Sequence, residues 1–333
     1  MMDQKQLLKG WLPVDLRTNS PSVTWMDFCS APLAHPFFED TVVKLRHGFP
    51  PAKEVKTDIN ALLSTADQLS RVTPGGLIFH VSRCGSTLIS NALRLGENTV
   101  VVSEAEAISN LFVPYSESTV AYPLDQWMPL QVKLLQSIAT IFAHYRTGRQ
   151  ERVVIKFTSW NILSWPIIRA IWPDVPCLML IRDPVEVMIS NLSQSGWMKL
   201  KTVPLDADEP SVTDMDEVEY CARIIGKLNE AGLQLADNNC QVLDYEHINA
   251  NTIRDAADFL GVHLRDNGCL DRVLRLDSKD PRLRRVFSED RQRKQQSATP
   301  AMRRAVLQWA SEPYAQLRER EWWRSPELEC VCQ

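Results

Sequence analysis

The chain has 333 residues, of which 44% are hydrophobic and 23% are charged, and its formal net charge is −4. This balance is typical of a protein that folds around a hydrophobic core, and the slight acidic excess argues against nucleic acid as a partner. No stretch reaches the roughly 18 consecutive apolar residues of a membrane span, and the polar start carries no signal-peptide core.

Residues 1–74 differ from the rest of the chain by their scattered prolines and their aromatic residues. Helical patterns occur near residues 37–46 and 58–71, and no internal repeat is present. We predict that residues 1–74 form an N-terminal extension that packs on a main domain and contributes to a substrate pocket. The main domain is expected over residues 75–325, followed by a short tail over residues 326–333.

Five short apolar runs follow from residue 75 onward, and helical patterns separate them. Continuous apolar sequence, without alternation, is typical of parallel strands that helices cover on both faces. The sequence therefore predicts an α/β fold: a three-layer, mainly parallel sheet of about five strands with helices on both faces. The predicted strands lie at residues 77–81, 99–102, 153–157, 177–181 and 241–243. The predicted helices lie at residues 88–95, 130–145 and 251–260, from Pro184 onward, and after Pro300.

Residues 82–88 read SRCGSTL and connect the first of these strands to the next helix. A glycine turn at such a junction directs backbone N–H groups and a helix N-terminus at one point, which suits an anion. Arg83 adds a planar cation, and Ser86 and Thr87 add hydroxyl donors. The loop is not a Walker A motif, since GxxxxGK[ST] is absent and the cation precedes Gly85. An ordinary strand-to-helix turn is the structural alternative.

A second candidate anion site follows the fourth strand. Arg182 lies at the carboxyl end of that strand, where ligands bind in open α/β sheets. Ser190 lies about two turns into the next helix, so the two residues could hold one phosphate. Alternatively, Arg182 pairs with a nearby carboxylate and Ser190 only packs. Eight late basic residues form either a solvated face or a further anion contact: Arg282, Arg284, Arg285, Arg291, Arg293, Lys294, Arg303 and Arg304.

Three motifs together resemble the sulfotransferases that use 3′-phosphoadenosine 5′-phosphosulfate as the donor. Residues 82–88 are similar to the family's PKSGTTW loop, which binds the 5′-phosphosulfate. The Arg-Asp-Pro of residues 182–184, with Ser190, is similar to the element that binds the 3′-phosphate. A strand that ends in Tyr-Glu at residues 245–246, before a helix that ends in Leu-Gly-Val at 260–262, is a further likeness. The resemblance extends over most of the main domain.

This resemblance implies a P-loop sulfotransferase that moves a sulfuryl group to a hydroxyl or amine of a small-molecule or peptide acceptor. The reaction would be an in-line displacement in which arginine and lysine carry the charge of the leaving phosphate, so no metal is required. The residues that would bind the nucleotide are Arg83, Cys84, Gly85, Ser86, Thr87, Arg182, Ser190 and Tyr245. The charge-stabilising cations would be Arg83 and Lys156, and one of Arg291, Arg293 and Lys294 would reach the 3′-phosphate.

The resemblance also bears on the general base. The catalytic histidine of the steroid and phenol enzymes falls on Thr158, which cannot accept a proton at neutral pH. Tyrosylprotein sulfotransferases use a glutamate after the strand that follows the phosphate loop, and Glu104 stands at a similar place. Glu104 is therefore the first choice for the base and Glu106 the second. Two solvated loop glutamates are the alternative.

Other residues are expected to shape or support this site. The loop aromatic that often stacks on adenine is Leu88 in this chain, so the resemblance does not supply a stacking partner there. The acceptor pocket is expected to include aromatic side chains of residues 105–129, namely Tyr115, Tyr122 and Trp127. His80 and His247 are expected to be structural.

The eight cysteines are scattered, without a CxxC pair or the Cys/His spacing of a zinc site. This usage favours a reducing, cytoplasmic compartment and agrees with a reaction that needs no metal. Two alternatives stay open. A P-loop kinase of small molecules should show GK[ST] and an acidic magnesium ligand. A non-catalytic protein of the same fold would bind a nucleotide without turning it over.

Overall fold

The computed structural model describes residues 10–29, 31–113, 119–145, 151–193, 198, 201, 203–205, 212–236, 239–265, 268–279 and 290–321. The strands are β1 (Trp11–Arg17), β2 (Ser22–Asp27), β3 (Glu54–Thr57), β4 (Gly76–His80), β5 (Thr99–Ser103), β6 (Arg152–Lys156), β7 (Cys177–Ile181) and β8 (Cys240–Asp244). The α-helices are α1 (Phe38–Arg46), α2 (Ile59–Ala66), α3 (Ser86–Leu93), α4 (Glu106–Ser109), α5 (Leu124–His144), α6 (Trp165–Ile171), α7 (Pro184–Ser193), α8 (Glu217–Ala236), α9 (Ala250–Phe259), α10 (Cys269–Arg275), α11 (Arg291–Ser297), α12 (Pro300–Trp309) and α13 (Ser311–Glu319).

Strands β4 to β8 form a parallel five-stranded sheet in the order β5-β6-β4-β7-β8. Each of them coincides with one of the five apolar runs, and helices surround the sheet, so the predicted α/β fold is confirmed. β4 and β7 are buried along their whole length, as expected of central parallel strands. Because β4 lies between β6 and β7, the chain leaves it and returns on both of its sides. Ligands bind at such a switch point, beyond the carboxyl ends of the strands.

The helices predicted from Pro184 onward and after Pro300 are confirmed as α7 and α12, and each follows a residue whose side chain caps it. Asp183 Oδ1 accepts the backbone N–H groups of Val185 at 2.9 Å and Glu186 at 3.1 Å, so it caps α7. Thr299 Oγ1 accepts the N–H of Met302 at 3.2 Å and caps α12 in the same way. Within the described residues, no helix is long and apolar enough to cross a bilayer.

The N-terminal extension contains an antiparallel sheet, β1-β2-β3, that the sequence analysis did not predict. Pro13 lies inside β1, beside a register shift between Pro13 and Asp15, and such an irregularity tolerates a residue without an N–H donor. Buried side chains of this sheet, among them Leu12 and Trp25, belong to the same hydrophobic cluster as those of the main sheet. The boundary near residue 75 stays a prediction, and the tail lies outside the described residues.

Helix α8 packs closely against the end of α12 at Gly226. A β-carbon on Gly226 would lie 2.1 Å from the carbonyl oxygen of Trp309, whereas one on Gly232 would meet the methyl end of the Met179 side chain at 2.7 Å. We expect Gly226→Ala to lower the free energy of unfolding by about 2–3 kcal/mol, because neither backbone can move away. Gly232→Ala is the matched control, and alanine's helix propensity should keep its effect within about 1 kcal/mol. Urea unfolding measures both, and equal losses would contradict this packing.

Candidate active site

A cavity of about 1130 Å³ lies beyond the carboxyl ends of the main sheet. Its walls include residues that follow β4, β5, β7 and β8, namely Arg83, Glu104, Arg182 and Tyr245. Lys156, the last residue of β6, does not itself line the cavity, but its ammonium pairs with Glu104, which does. Every residue predicted to bind the nucleotide lines the cavity: Arg83, Cys84, Gly85, Ser86, Thr87, Arg182, Ser190 and Tyr245.

The loop between β4 and α3 is wound tightly. Gly85 has φ +79°, and a β-carbon there would lie 2.8 Å from both the Tyr245 ring and the Ile248 side chain, so only glycine fits. Ser82 with φ +70° and Arg83 with φ +53° also lie in the left-handed region, where non-glycine residues are strained. The first N–H groups of α3 have no partner within the helix. The loop therefore combines N–H donors, hydroxyls and a cation at one place.

The His80 side chain is hydrogen-bonded to the backbone of this loop. Its Nδ1 accepts the backbone N–H of Ser82 at 3.1 Å, so Nε2 carries the proton and donates it to the carbonyl of Phe157 at 3.1 Å. The same Nε2 lies 3.4 Å from Oε1 of Glu104. Burial, together with the charge of Lys156, lowers the pKa of His80 below its ordinary value of 6.5. A neutral His80 thus holds both the loop between β4 and α3 and the carboxylate of Glu104.

Lys156 and Glu104 form an ion pair at the edge of the cavity. The Lys156 side chain has no exposed surface, whereas 22% of the Glu104 side chain is exposed. The pair is also joined through the backbone, because the N–H of Glu104 donates to the carbonyl of Lys156 at 2.8 Å. Burial alone would raise the pKa of Glu104, but Lys156 and His80 outweigh it, and the pKa falls to about 2. Glu104 is therefore ionised and oriented.

Arg83 stands beside this pair. Burial lowers the pKa of its guanidinium below the ordinary value, although the charge of Glu104 opposes the effect. Within the described part of the chain, the Arg83 side chain forms no hydrogen bond or ion pair. A partly buried cation without a partner is ready to bind an anion.

The Arg182 guanidinium contacts two carboxylates, a backbone carbonyl and an aromatic ring. It donates to Glu186 at 2.8 Å, to the carbonyl of Arg83 at 3.1 Å and to Asp290 at 3.1 Å. It also stacks on the Tyr245 ring, 4.0 Å from the centroid. The alternative that Arg182 pairs with a nearby carboxylate is thus what the structure shows. The contact with Arg83 joins the phosphate loop and this second site directly.

The late basic residues divide into three groups. Arg291, Arg293 and Lys294 line the cavity. Arg291 pairs with Glu246 at 2.7 Å, and Lys294 pairs with Asp290 at 2.8 Å. Arg303 and Arg304 do not line the cavity. Arg282, Arg284 and Arg285 lie outside the described residues.

Two wall residues, Phe37 and Lys279, were not assigned to the site from the sequence. Phe37 belongs to the N-terminal extension, and its ring centroid lies 5.1 Å from Nζ of Lys156. Burial and the charge of Arg83 lower the pKa of Lys279 to about 8. Arg94 Nε donates to the carbonyl of Leu33 at 3.0 Å, and Asn91 Nδ2 donates to that of Ser278 at 2.8 Å. Asn91, near the end of α3, is thereby joined to the segment that contains Ser278, and Arg94, just after α3, is joined to the segment that contains Leu33.

Other expected residues do not reach this cavity. Glu106 is exposed at the start of α4, and its N–H donates to Glu39 at 3.2 Å, so Glu104 alone of the two candidates faces the cavity. Trp127 is 3% exposed and stacks on Tyr122 with 6.4 Å between ring centroids. Tyr115 lies outside the described residues. Within the described ranges, no group of three or more His, Cys, Asp and Glu side chains is arranged to hold a metal ion.

His80 gives a pH-dependent prediction. Near pH 6.5 the unfolded chain takes up a proton on this histidine, whereas the folded protein does so only at lower pH. The unfolded state then binds more protons, so stability falls as the pH decreases below 6.5. We expect His80→Gln to reduce this slope, measured as the free energy of unfolding in urea from about pH 7.5 to 5.5. An identical slope in the variant would show that His80 is not held neutral.

The sequence profile of the sulfotransferase family matches residues 77–266. Among solved structures, a sulfotransferase from Alicyclobacillus acidocaldarius is 16% identical, with coverage of 74% of this chain and 95% of that one and a TM-score of 0.45. The sulfotransferase domain of the Synechococcus PCC 7002 olefin synthase is 17% identical, with coverage of 73% and 95% and a TM-score of 0.44. No curated protein matches the chain. Because the family profile matches more than half of the residues of this chain, the chain belongs to the sulfotransferase family.

Proposed function

We propose that the chain transfers a sulfuryl group from 3′-phosphoadenosine 5′-phosphosulfate to a hydroxyl or amine of a small-molecule or peptide acceptor. The observation that carries this proposal is that Arg83 and Glu104 line the same cavity, with Lys156 buried behind Glu104 and paired with it. Two cations and an ionised carboxylate are what a displacement at an anionic sulfuryl group requires. The cations stabilise the leaving phosphate, and the carboxylate accepts the proton of the acceptor.

The second anion site supports the choice of donor. Arg182 and Ser190 line the same cavity as the phosphate loop, and Arg182 contacts Arg83 directly. A nucleotide with a 5′-phosphosulfate and a 3′-phosphate carries two anionic groups, which fits two adjacent anion sites. Tyr245 lies between them, against Gly85 on one side and Arg182 on the other. The residues present therefore fit a bisphosphorylated nucleotide.

In the proposed reaction, the acceptor oxygen or nitrogen attacks sulfur as the bond from sulfur to the 5′-phosphate oxygen breaks. The electron pair of that bond goes to the leaving phosphate, and Arg83 with Lys156 stabilises the added charge. The loop N–H groups, Ser86 and Thr87 orient the phosphosulfate for in-line attack.

Lys156 would also control how readily Glu104 accepts a proton. While Lys156 is paired with Glu104, the pKa of the carboxyl is about 2, which makes Glu104 a weak proton acceptor. A phosphosulfate beside Arg83 competes for the Lys156 ammonium. As Lys156 turns to the donor, Glu104 loses its main stabilising charge and its pKa rises. Binding of the donor would thus activate the base.

We expect Glu104→Gln to reduce turnover at least about 100-fold, because it removes the proton acceptor. Its affinity for 3′-phosphoadenosine 5′-phosphate should not fall, because the substitution removes a carboxylate that competes with the donor for Lys156 and removes no phosphate contact. Turnover is measured as release of that bisphosphate with phenols, alcohols and amines as acceptors. Glu106→Gln is the control, because Glu106 is exposed outside the cavity. Full activity in Glu104→Gln, or an equal loss in both variants, would remove Glu104 from the mechanism.

Arg182→Lys tests the second anion site while keeping a charge next to Glu186. Lysine cannot reproduce the two-pronged contact of a guanidinium with phosphate. We expect the bisphosphate to bind about 1.5–3 kcal/mol more weakly, the value of a charge-assisted hydrogen bond. Adenosine 5′-phosphate, which lacks the 3′-phosphate, should lose less affinity than the bisphosphate, because only the contact of Arg182 with the loop backbone affects its binding. Calorimetry gives both affinities, and an unaltered affinity for the bisphosphate would contradict a phosphate contact at Arg182.

A further inference from the structure

The second anion site already contains a carboxylate, that of Asp290. Its Oδ1 lies 3.1 Å from Nη2 of Arg182, and its Oδ2 lies 2.8 Å from Nζ of Lys294. Asp290 therefore bridges a cation at the end of β7 and a cation on α11. We call Arg182, Ser190, Asp290 and Lys294 the Arg182 corner; all four line the cavity.

Asp290 differs from the other carboxylate that holds Arg182. Glu186 is 2% exposed and is fixed by three partners, Arg182 at 2.8 Å, Gln295 at 3.2 Å and Arg291 at 3.2 Å. The Asp290 side chain is 28% exposed and faces the cavity. Glu186 is thus a permanent neutralising partner of Arg182, whereas Asp290 can leave without exposing a buried charge.

A carboxylate and a phosphate use the same donors, and the phosphate has more charge and one more acceptor oxygen. Burial would raise the pKa of Asp290, but Lys294 and Arg182 outweigh it and lower the pKa below its ordinary value. Asp290 is therefore ionised at neutral pH. A phosphate that enters the Arg182 corner is repelled by the Asp290 carboxylate. Only a strongly anionic group therefore displaces Asp290 favourably.

We propose that Asp290 is an internal competitor of the 3′-phosphate: it occupies the Arg182 corner in the free protein and is displaced by the 3′-phosphate of the nucleotide. This inference rests on the proposed donor. Because Asp290 must first be displaced, every 3′-phosphorylated nucleotide, including the bisphosphate product, binds less tightly. Nucleotides without a 3′-phosphate are unaffected. Asp290 thereby limits how tightly the product is retained after transfer, when release can set the rate of turnover.

Asp290→Asn tests this directly, because asparagine keeps the size and removes the charge. Its dissociation constant for 3′-phosphoadenosine 5′-phosphate should fall by about three- to tenfold, the range from an exposed to a partly buried ion pair. Its dissociation constant for adenosine 5′-phosphate should change by less than about twofold. Asp258→Asn, on the exposed face of α9, controls for the change in net charge. A bisphosphate affinity that is unchanged or weaker in Asp290→Asn would overturn the proposal.

A second measurement separates this inference from the proposed donor. If the unaltered protein binds the bisphosphate no better than adenosine 5′-phosphate, the donor is wrong. Inorganic phosphate then tests Asp290 alone, as the rise in melting temperature that added phosphate causes. A larger rise in Asp290→Asn than in the unaltered protein and Asp258→Asn supports an internal carboxylate that competes with phosphate. Equal rises in all three overturn it.

Discussion

The site depends on a lysine whose side chain is completely buried at the end of a parallel strand. A buried ammonium is costly without a partner, and Lys156 finds it in Glu104, one strand away. That pairing requires Glu104 to adopt φ +56°, which its backbone hydrogen bond to Lys156 helps to hold. His80 contacts the same carboxylate and holds the phosphate loop through Ser82. One ion pair therefore links the geometry of three strand ends and fixes the orientation of the Glu104 carboxylate at the cavity wall.

The parallel sheet explains why residues far apart in the chain meet here. All five strands end at the same edge, and Arg83, Glu104, Lys156, Arg182 and Tyr245 each end or follow a different strand. The two anion sites are not independent, because Arg182 donates to the backbone of the phosphate loop. The chain's own carboxylates balance cations of the site: Glu104 pairs with Lys156, and Asp290 pairs with Arg182. Each is placed where the proposed donor would bring a negative group.

Local patterns were sufficient to predict the five strands, the helices that begin at Ser86 and Pro184, and the loop residues that line the cavity. These features depend on neighbours in sequence: an apolar run, a capping carboxylate, a glycine between strand and helix. Contacts across the chain were not predictable in this way. Asp290 reaches Arg182, and Phe37 reaches Lys156, only because tertiary packing brings separate elements together. Glu104 ranked above Glu106 in the sequence only through the family resemblance; in the structure Glu104 alone of the two lines the cavity, and its backbone has φ +56°. β1 was missed because Pro13 interrupts its apolar run, and a proline argues against a strand when only the sequence is known.

The central claim is that the cations of the chain itself neutralise a bisphosphorylated adenosine nucleotide in this cavity. Calorimetric titration with 3′-phosphoadenosine 5′-phosphate, compared with ATP in the presence and absence of Mg²⁺, tests it most directly. The account predicts tight binding of the bisphosphate that Mg²⁺ does not alter, together with weak binding of ATP. A preference for Mg²⁺-ATP, or no binding of either nucleotide, would contradict it and would favour a kinase or a pocket-binding protein on the same fold.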